Sequence, residues 1–198
     1  VRELPAAERK SLADLLLSTA DWHAGRVKQL LQAKEELQGK GLLGFALRTE
    51  REIDRKSQQV TRLYTYYMPT AGRKVQHGVA AAWHPNGRVE SYREYRHGKL
   101  HGRSFSWDTE GRATFMAQYA EGQPTGVQRH WYGHGTGQIM IQEVRYLGPQ
   151  STAGTTWKGE RVVEMVETRG GKTCGTHKTW HDNGKPRVFM TYKDGVTV

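Results

Sequence analysis

Five residues recur along this chain at one fixed spacing. Gly78, Trp83, Gly87, Tyr95 and Gly98 are separated by steps of 5, 4, 8 and 3, and Gly102, Trp107, Gly111, Tyr119 and Gly122 repeat those steps. Gly175, Trp180, Gly184, Tyr192 and Gly195 repeat them again. The period is 24 residues, and Gly126 with Trp131 opens a further unit that carries an insertion before Tyr146 and Gly148. Gly126 and Gly175 lie 49 residues apart, about two periods, so a degenerate unit around Trp157 fills the gap. A period of this length places the chain among repeat architectures, in which each unit buries its apolar side chains only against its neighbours. The units run near 77–100, 101–124, 125–148, 149–173 (degenerate) and 174–198.

Within a unit, a short strand ends at the Trp and a turn follows: His84-Pro85-Asn86-Gly87, Asp108-Thr109-Glu110-Gly111, or His181-Asp182-Asn183-Gly184. Asn-Gly tolerates positive φ at both central positions, so this site is expected to be the tight hairpin turn. The return strand shows period-2 alternation, with Val89, Ser91, Arg93 and Tyr95 set against Glu90, Tyr92 and Glu94. The expected fold is mainly β with an N-terminal α-helical segment. The β part is expected to be an elongated, twisted antiparallel sheet of stacked β-hairpins.

The N-terminal part reads differently. Leu12, Leu15, Leu16 and Thr19 follow helical spacing behind Pro5, and Val27, Leu30, Leu31 and Leu37 form a second apolar face behind Asp21. A helical hairpin over the first 40 residues is expected, ended by Gly39, Gly41 and Gly44. Residues 45–57 fit either a charged helix or an outer strand, and VTRLYTYYM from Val60 to Met68 reads as a strand. The division expected is a helical segment over 1–59 and a repeat domain over 60–198.

No stretch is long and apolar enough for a membrane-spanning helix. The chain opens on Val1, which suggests a trimmed sequence, and any targeting signal or lipid anchor would lie upstream of it. Of the net charge of +10, residues 1–60 carry +2 (11 basic, 9 acidic) and residues 61–198 carry +8 (19 basic, 11 acidic). Such an excess suits an acidic protein, an anionic lipid surface or nucleic acid, or is simply a solvated surface.

HGVAAAWHPNG, EYRHGKLHG, HGRSFSWDTEG, QYAEGQPTG, and GTHKTWHDNG with TYKDG carry a resemblance. They resemble the MORN-variant repeat, and the chain is most similar to the YwqK-type antitoxin family of bacterial proteins built from it. The resemblance covers roughly residues 77–198. It implies binding rather than turnover: antitoxins, and immunity proteins encoded beside antibacterial effectors that include secreted lipases and phospholipases, of the kind linked to type VI secretion. A repeat is a scaffold for varied sites, so the resemblance speaks to fold more than to function.

The candidate chemistry is thin. Histidines take repeat positions that other units fill with Thr125, Asp108 or Tyr132, which is not how a metal ligand set behaves, so neither metal nor cofactor is expected. Cys174 occupies one of these slots, with no carboxylate at a motif-like spacing to orient a thiol-based site. No catalytic residues are assigned, and the protein is expected not to be an enzyme.

Trp83, Trp107, Trp131 and Trp180, with Tyr95, Tyr119, Tyr146 and Tyr192, are expected to be structural ladders. Tyr92, Met116 and Phe189 sit five residues after each turn Gly, on the opposite face from the repeat Tyr. That strip is either a partner site or the seat of the N-terminal helices. Arg88, Arg112 and Lys185 follow each turn Gly and, with Arg93, Arg96, Lys99 and Arg103, would form a basic track. Acidic residues interrupt the track, so nucleic acid is a poor fit. The candidate partner-binding set is Arg88, Tyr92, Arg93, Arg112, Met116, Lys185 and Phe189. The expected function is a non-enzymatic immunity or antitoxin protein that covers a toxin's active site, placed in the periplasm with the cytoplasm as the alternative. The rival is a membrane-surface or scaffold protein that binds anionic lipid.

Overall fold

The computed structural model describes residues 33–36, 46–70, 72–132, 140–148, 150–159 and 161–198. Among the described residues, thirteen strands form one open antiparallel sheet in sequence order, each pairing with its chain neighbours. They are β1 (Arg48–Ile53), β2 (Val60–Thr70), β3 (Arg73–Trp83), β4 (Val89–Arg96), β5 (Lys99–Trp107), β6 (Ala113–Ala120) and β7 (Gln123–Tyr132). The rest are β8 (Met140–Gly148), β9 (Ser151–Lys158), β10 (Arg161–Arg169), β11 (Lys172–Trp180), β12 (Pro186–Lys193) and β13 (Val196–Thr197). The mainly-β reading and the hairpin order hold. Within the ambiguous 45–57 stretch, 48–53 is strand, and 60–68 lies in β2. The expected helical hairpin falls outside the described residues except for 33–36, which are helical.

The chain packs as two compact units. One contains the described residues up to Arg103 with Thr109–Gly111, and the other contains Ser104–Asp108 and Arg112–Val198.

The turn after the Trp is not the tight turn with positive φ at both central positions that Asn-Gly suggests. At His84–Gly87, Gly87 N–H donates to the His84 carbonyl at 2.9 Å and His84 N–H donates to Arg88 at 2.8 Å. Only Gly87 has positive φ, +82°. His181–Gly184 repeats this, with bonds of 2.8 and 2.9 Å. These are type I turns closed by a left-handed glycine, which Pro85 suits at its position. Asn serves here through its side chain instead. Asn86 Oδ1 accepts from Arg88 N–H at 3.1 Å and Asn183 Oδ1 from Lys185 N–H at 3.0 Å. Asp108 Oδ1 does the same for Arg112 N–H at 2.8 Å.

The two-residue primed turn lies at the other end of the unit. His97 and Gly98 have φ of +48° and +82°, Glu121 and Gly122 +51° and +85°, and Asp194 and Gly195 +53° and +86°. Gly170 and Gly171, at +58° and +75°, make the same turn in the degenerate unit, so the missing Tyr there does not change the backbone.

The first glycine of each unit joins the units together. Tyr95 lies opposite Gly78, Tyr146 opposite Gly126 and Tyr192 opposite Gly175, so each aromatic covers a residue with no side chain of its own. From the preceding strand, a polar side chain reaches over the same glycine. A Cβ on Gly102 would collide with the Glu94 carboxylate, one on Gly175 with Glu167, and one on Gly78 would lie 2.6 Å from Thr65 Oγ1. These side chains satisfy backbone that the register shift leaves unpaired: Arg103 N–H donates to Glu94 Oε2 at 2.7 Å, and Val79 N–H to Thr65 Oγ1 at 2.8 Å.

Candidate functional site

Cross-strand register decides which residues share a face, and it resolves the sheet from β7 to β12 into two unlike faces. One face carries the tryptophans. Trp131, Ile141, Trp157 and Val162 are register partners across β7 to β10. A neighbouring row on that face runs Met116, Arg129, Glu143, Thr155, Met165, Lys178 and Phe189, each opposite the next from β6 to β12. The opposite face carries Tyr146, His177, Met190 and Tyr192, with the Tyr146 hydroxyl donating to Gln128 at 3.1 Å and the His177 and Tyr192 rings 6.3 Å apart.

Charge divides unevenly between the faces. Register and alternation place Arg129, Arg145, Arg169, Lys172, Lys178 and Lys193 on the tryptophan face, with Glu143 and Glu167. The tyrosine face of the same strands carries Lys158 and Arg161 with Glu164. Leaving aside Arg187, which stands at the register shift of β12, six cations minus two carboxylates leave +4 on one face, and two minus one leave +1 on the other.

The centre of the tryptophan face is an ion triad. Arg129 donates to Glu143 Oε2 through Nε at 2.8 Å and Nη2 at 2.6 Å, and Arg145 Nε donates to Oε1 at 2.7 Å. The Glu143 side chain is 4% exposed, Arg129 12% and Arg145 61%. Burial pushes the Glu143 carboxyl upward, but the hydrogen bonds from Arg145 and Arg129 outweigh it and hold it below the usual carboxylate range. One buried carboxylate therefore fixes two guanidiniums, one of which still faces solvent. Further along the row, Lys178 Nζ sits 4.8 Å from the centre of the Phe189 ring. Phe189 is 65% exposed and Met165 43%.

The predicted partner-binding residues do not form one patch. Phe189 and Met116 lie on the tryptophan face, away from the repeat Tyr as expected. Tyr92 lies opposite Ala81, is 2% exposed, and donates its hydroxyl to Glu94 at 2.8 Å, so it is core in its own unit. Arg93 points to the opposite side of β4 from Tyr92 and reaches Ser91 at 3.4 Å. Arg88, Arg112 and Lys185 sit beside the type I turns, and Arg112 Nε is held by its own Asp108 at 2.8 Å. Of the repeat aromatics, Trp107 and Trp131 are buried, while Trp83, Trp180, Tyr95, Tyr119, Tyr146 and Tyr192 are half-buried. Sequence reasoning missed Arg145, Glu143 and Lys178. They fall on non-motif positions, and only the pairing of β8 with β7 and of β11 with β12 brings them beside Arg129 and Phe189.

A histidine cluster lies in the other unit. His77 is 1% exposed; its Nδ1 accepts from His97 N–H at 3.2 Å and its Nε2 faces the Ala33 carbonyl at 3.2 Å. One acceptor and one donor require the neutral ring. Burial pushes the His77 pKa down and the neighbouring His97 adds to this, against Glu36 at 3.6 Å. Tyr67 Oη lies 3.0 Å from His97 Nδ1. Cys174 is half-buried. Among the described residues, no three His, Cys, Asp or Glu side chains are arranged to hold a metal ion. Compared with known proteins, the chain matches no family model and no curated sequence.

Proposed function

We propose that this protein is a non-enzymatic binding module that holds another macromolecule against its repeat sheet. The finer reading is an immunity or antitoxin protein that covers the active site of a secreted antibacterial toxin. The observation that carries the binding reading is the asymmetry between the two faces of β7 to β12. A sheet built only as a scaffold has no need to gather cations, an oriented guanidinium and exposed Phe189 and Met165 on one side. The finer reading is supported by the resemblance of the repeat motifs to MORN-variant antitoxins. Charge would steer the encounter, and a few aromatic or Arg anchors would hold the complex.

Co-purification and growth rescue with the product of the neighbouring gene test the finer reading. A complex together with restored growth is the expected result, and the absence of both removes it. A periplasmic location is part of this proposal and is checked by fractionation of cells expressing the native gene.

A second reading, a scaffold for anionic membrane, draws on the same basic face. It predicts vesicle binding that requires acidic lipid and weakens with salt.

A further inference from the structure

The tryptophan face over β7 to β12 identifies its own kind of ligand. We infer that this face is the docking surface for an acidic protein segment that presents carboxylates and apolar anchors together on one side. The inference rests on the binding-module reading but not on the partner being a toxin.

Three features on the face point to that chemistry. First, cations and apolar groups are interleaved in a single row, with Met165, Lys178 and Phe189 on adjacent strands. An extended segment laid across the strands would meet an apolar contact, a cation and a second apolar contact in turn. Neighbouring strands stand about 4.8 Å apart and side chains on one side of an extended chain about 6.8 Å apart, so a segment crossing the row obliquely sets every second side chain against it. Second, Arg145 is oriented at Nε by Glu143 yet is 61% exposed, the arrangement that favours a planar carboxylate over a diffuse field. Third, Glu167 stands on the same face, opposite Ala153 in the row that also holds Arg145, with its carboxylate over Gly175. A phosphodiester chain is negative throughout and would be repelled there, and a fluid headgroup layer holds no fixed register that sets a neutral group opposite Glu167. A protein segment can place a neutral or basic residue opposite Glu167.

Size agrees. Six strands span about 24 Å, and strands of 8 residues extend about 26 Å. That gives a flat area on the order of 600 Å² before side-chain relief, close to the roughly 800 Å² each partner contributes to a specific interface.

The test titrates the full chain, read by tryptophan fluorescence, with a synthetic peptide that carries Leu, Glu and Phe at every second position with Ser between them, so that the extended chain shows them on one side. Phosphatidylserine-containing vesicles and a single-stranded oligonucleotide are titrated in parallel. The peptide is expected to bind more tightly than either, with affinity falling as salt rises. Lys178→Glu and Arg145→Ala should each weaken it about tenfold, and Phe189→Ser by a similar factor. Thr156→Glu, on the tyrosine face, should leave it unchanged. Lys178 and Phe189 are surface positions, so their variants report on binding even if Arg145→Ala loosens the triad. Tighter binding of vesicles or oligonucleotide, no peptide binding, or equal losses from both faces would overturn the inference. Failure of growth rescue, by contrast, bears only on the antitoxin reading.

Discussion

The β2–β4 region and the β10–β12 region each set a preceding strand against one repeat hairpin, β3–β4 or β11–β12, and meet solvent in opposite ways. In the first, Leu63, Ala81 and Tyr92 lie opposite one another across three strands and are 3%, 4% and 2% exposed. In the second, the corresponding row of Met165, Lys178 and Phe189 has its two apolar members 43% and 65% exposed. The motif glycines and turns are shared, so they do not account for the difference. It arises at the variable positions. Ala81 leaves room over β3, where Ala33 of the helical stretch 33–36 is 5% exposed and a Cβ on Gly78 would lie 3.4 Å from its own. In β11, Thr176 and Lys178 stand where β3 has Val79 and Ala81, and present polar or long side chains instead. A repeat of this kind sets backbone geometry, and the residues between its motif positions decide whether a face becomes core or contact surface.

Substitutions can break that contrast. Tyr92→Ala should cost about 3–5 kcal/mol in chemical denaturation because it empties a buried aromatic site. Phe189→Ala should stay within about 0.5 kcal/mol. Similar losses at both positions would mean that the two regions do not differ in burial.

Glu143→Ala should cost about 2–3 kcal/mol, less than for a fully buried pair because Arg145 is largely exposed. The pH dependence follows from the sign. The Glu143 pKa is depressed on folding, so its contribution is complete above the unfolded value near 4.5 and is lost as pH falls through the folded value. Stability measured across the acid range should fall less steeply in the Glu143→Gln variant.

Gly175→Ala should cost about 1–3 kcal/mol, combining positive φ with a clash against Glu167. Gly184→Ala has open space around its Cβ and should cost only the backbone term, about 1 kcal/mol. Adding Glu167→Ala to Gly175→Ala should recover part of the loss, and a double-mutant cycle with no coupling would rule out the clash.

The smallest effect should be confined to the β2–β4 region. The pKa of His77 is lowered on folding, so its stabilisation is complete above the ordinary value of 6.5 and declines as pH drops below it. Hydrogen exchange should show β3 amides losing protection in mildly acidic buffer before β11 amides do, and His77→Gln should remove the difference.

Much of the backbone was legible from residue order alone. Gly-x-x-x-x-Trp, the turn sequences and Tyr-x-x-Gly are local signals, and hairpins join residues close in sequence. The turn assignment was the instructive miss. Asn-Gly suggested a primed turn, but Pro85 and the Asn86 side chain both favour type I, and the primed geometry lies at His97-Gly98. The degenerate unit also kept its hairpin without Tyr, because Gly170-Gly171 supplies the required φ values.

Residue order by itself therefore determined the strands, their hairpin sequence and the positions of the glycines, since each follows from φ preference and period-2 alternation over short spans. Tertiary structure decided the rest. Whether Tyr92 is core or surface, whether Arg145 meets Glu143, and whether Lys178 lies over Phe189 all depend on cross-strand register and on what packs against a face. Register shifts at each repeat glycine change which side chains face each other, and no local pattern records that sum. For this reason the tryptophan face became visible only once the strands were paired.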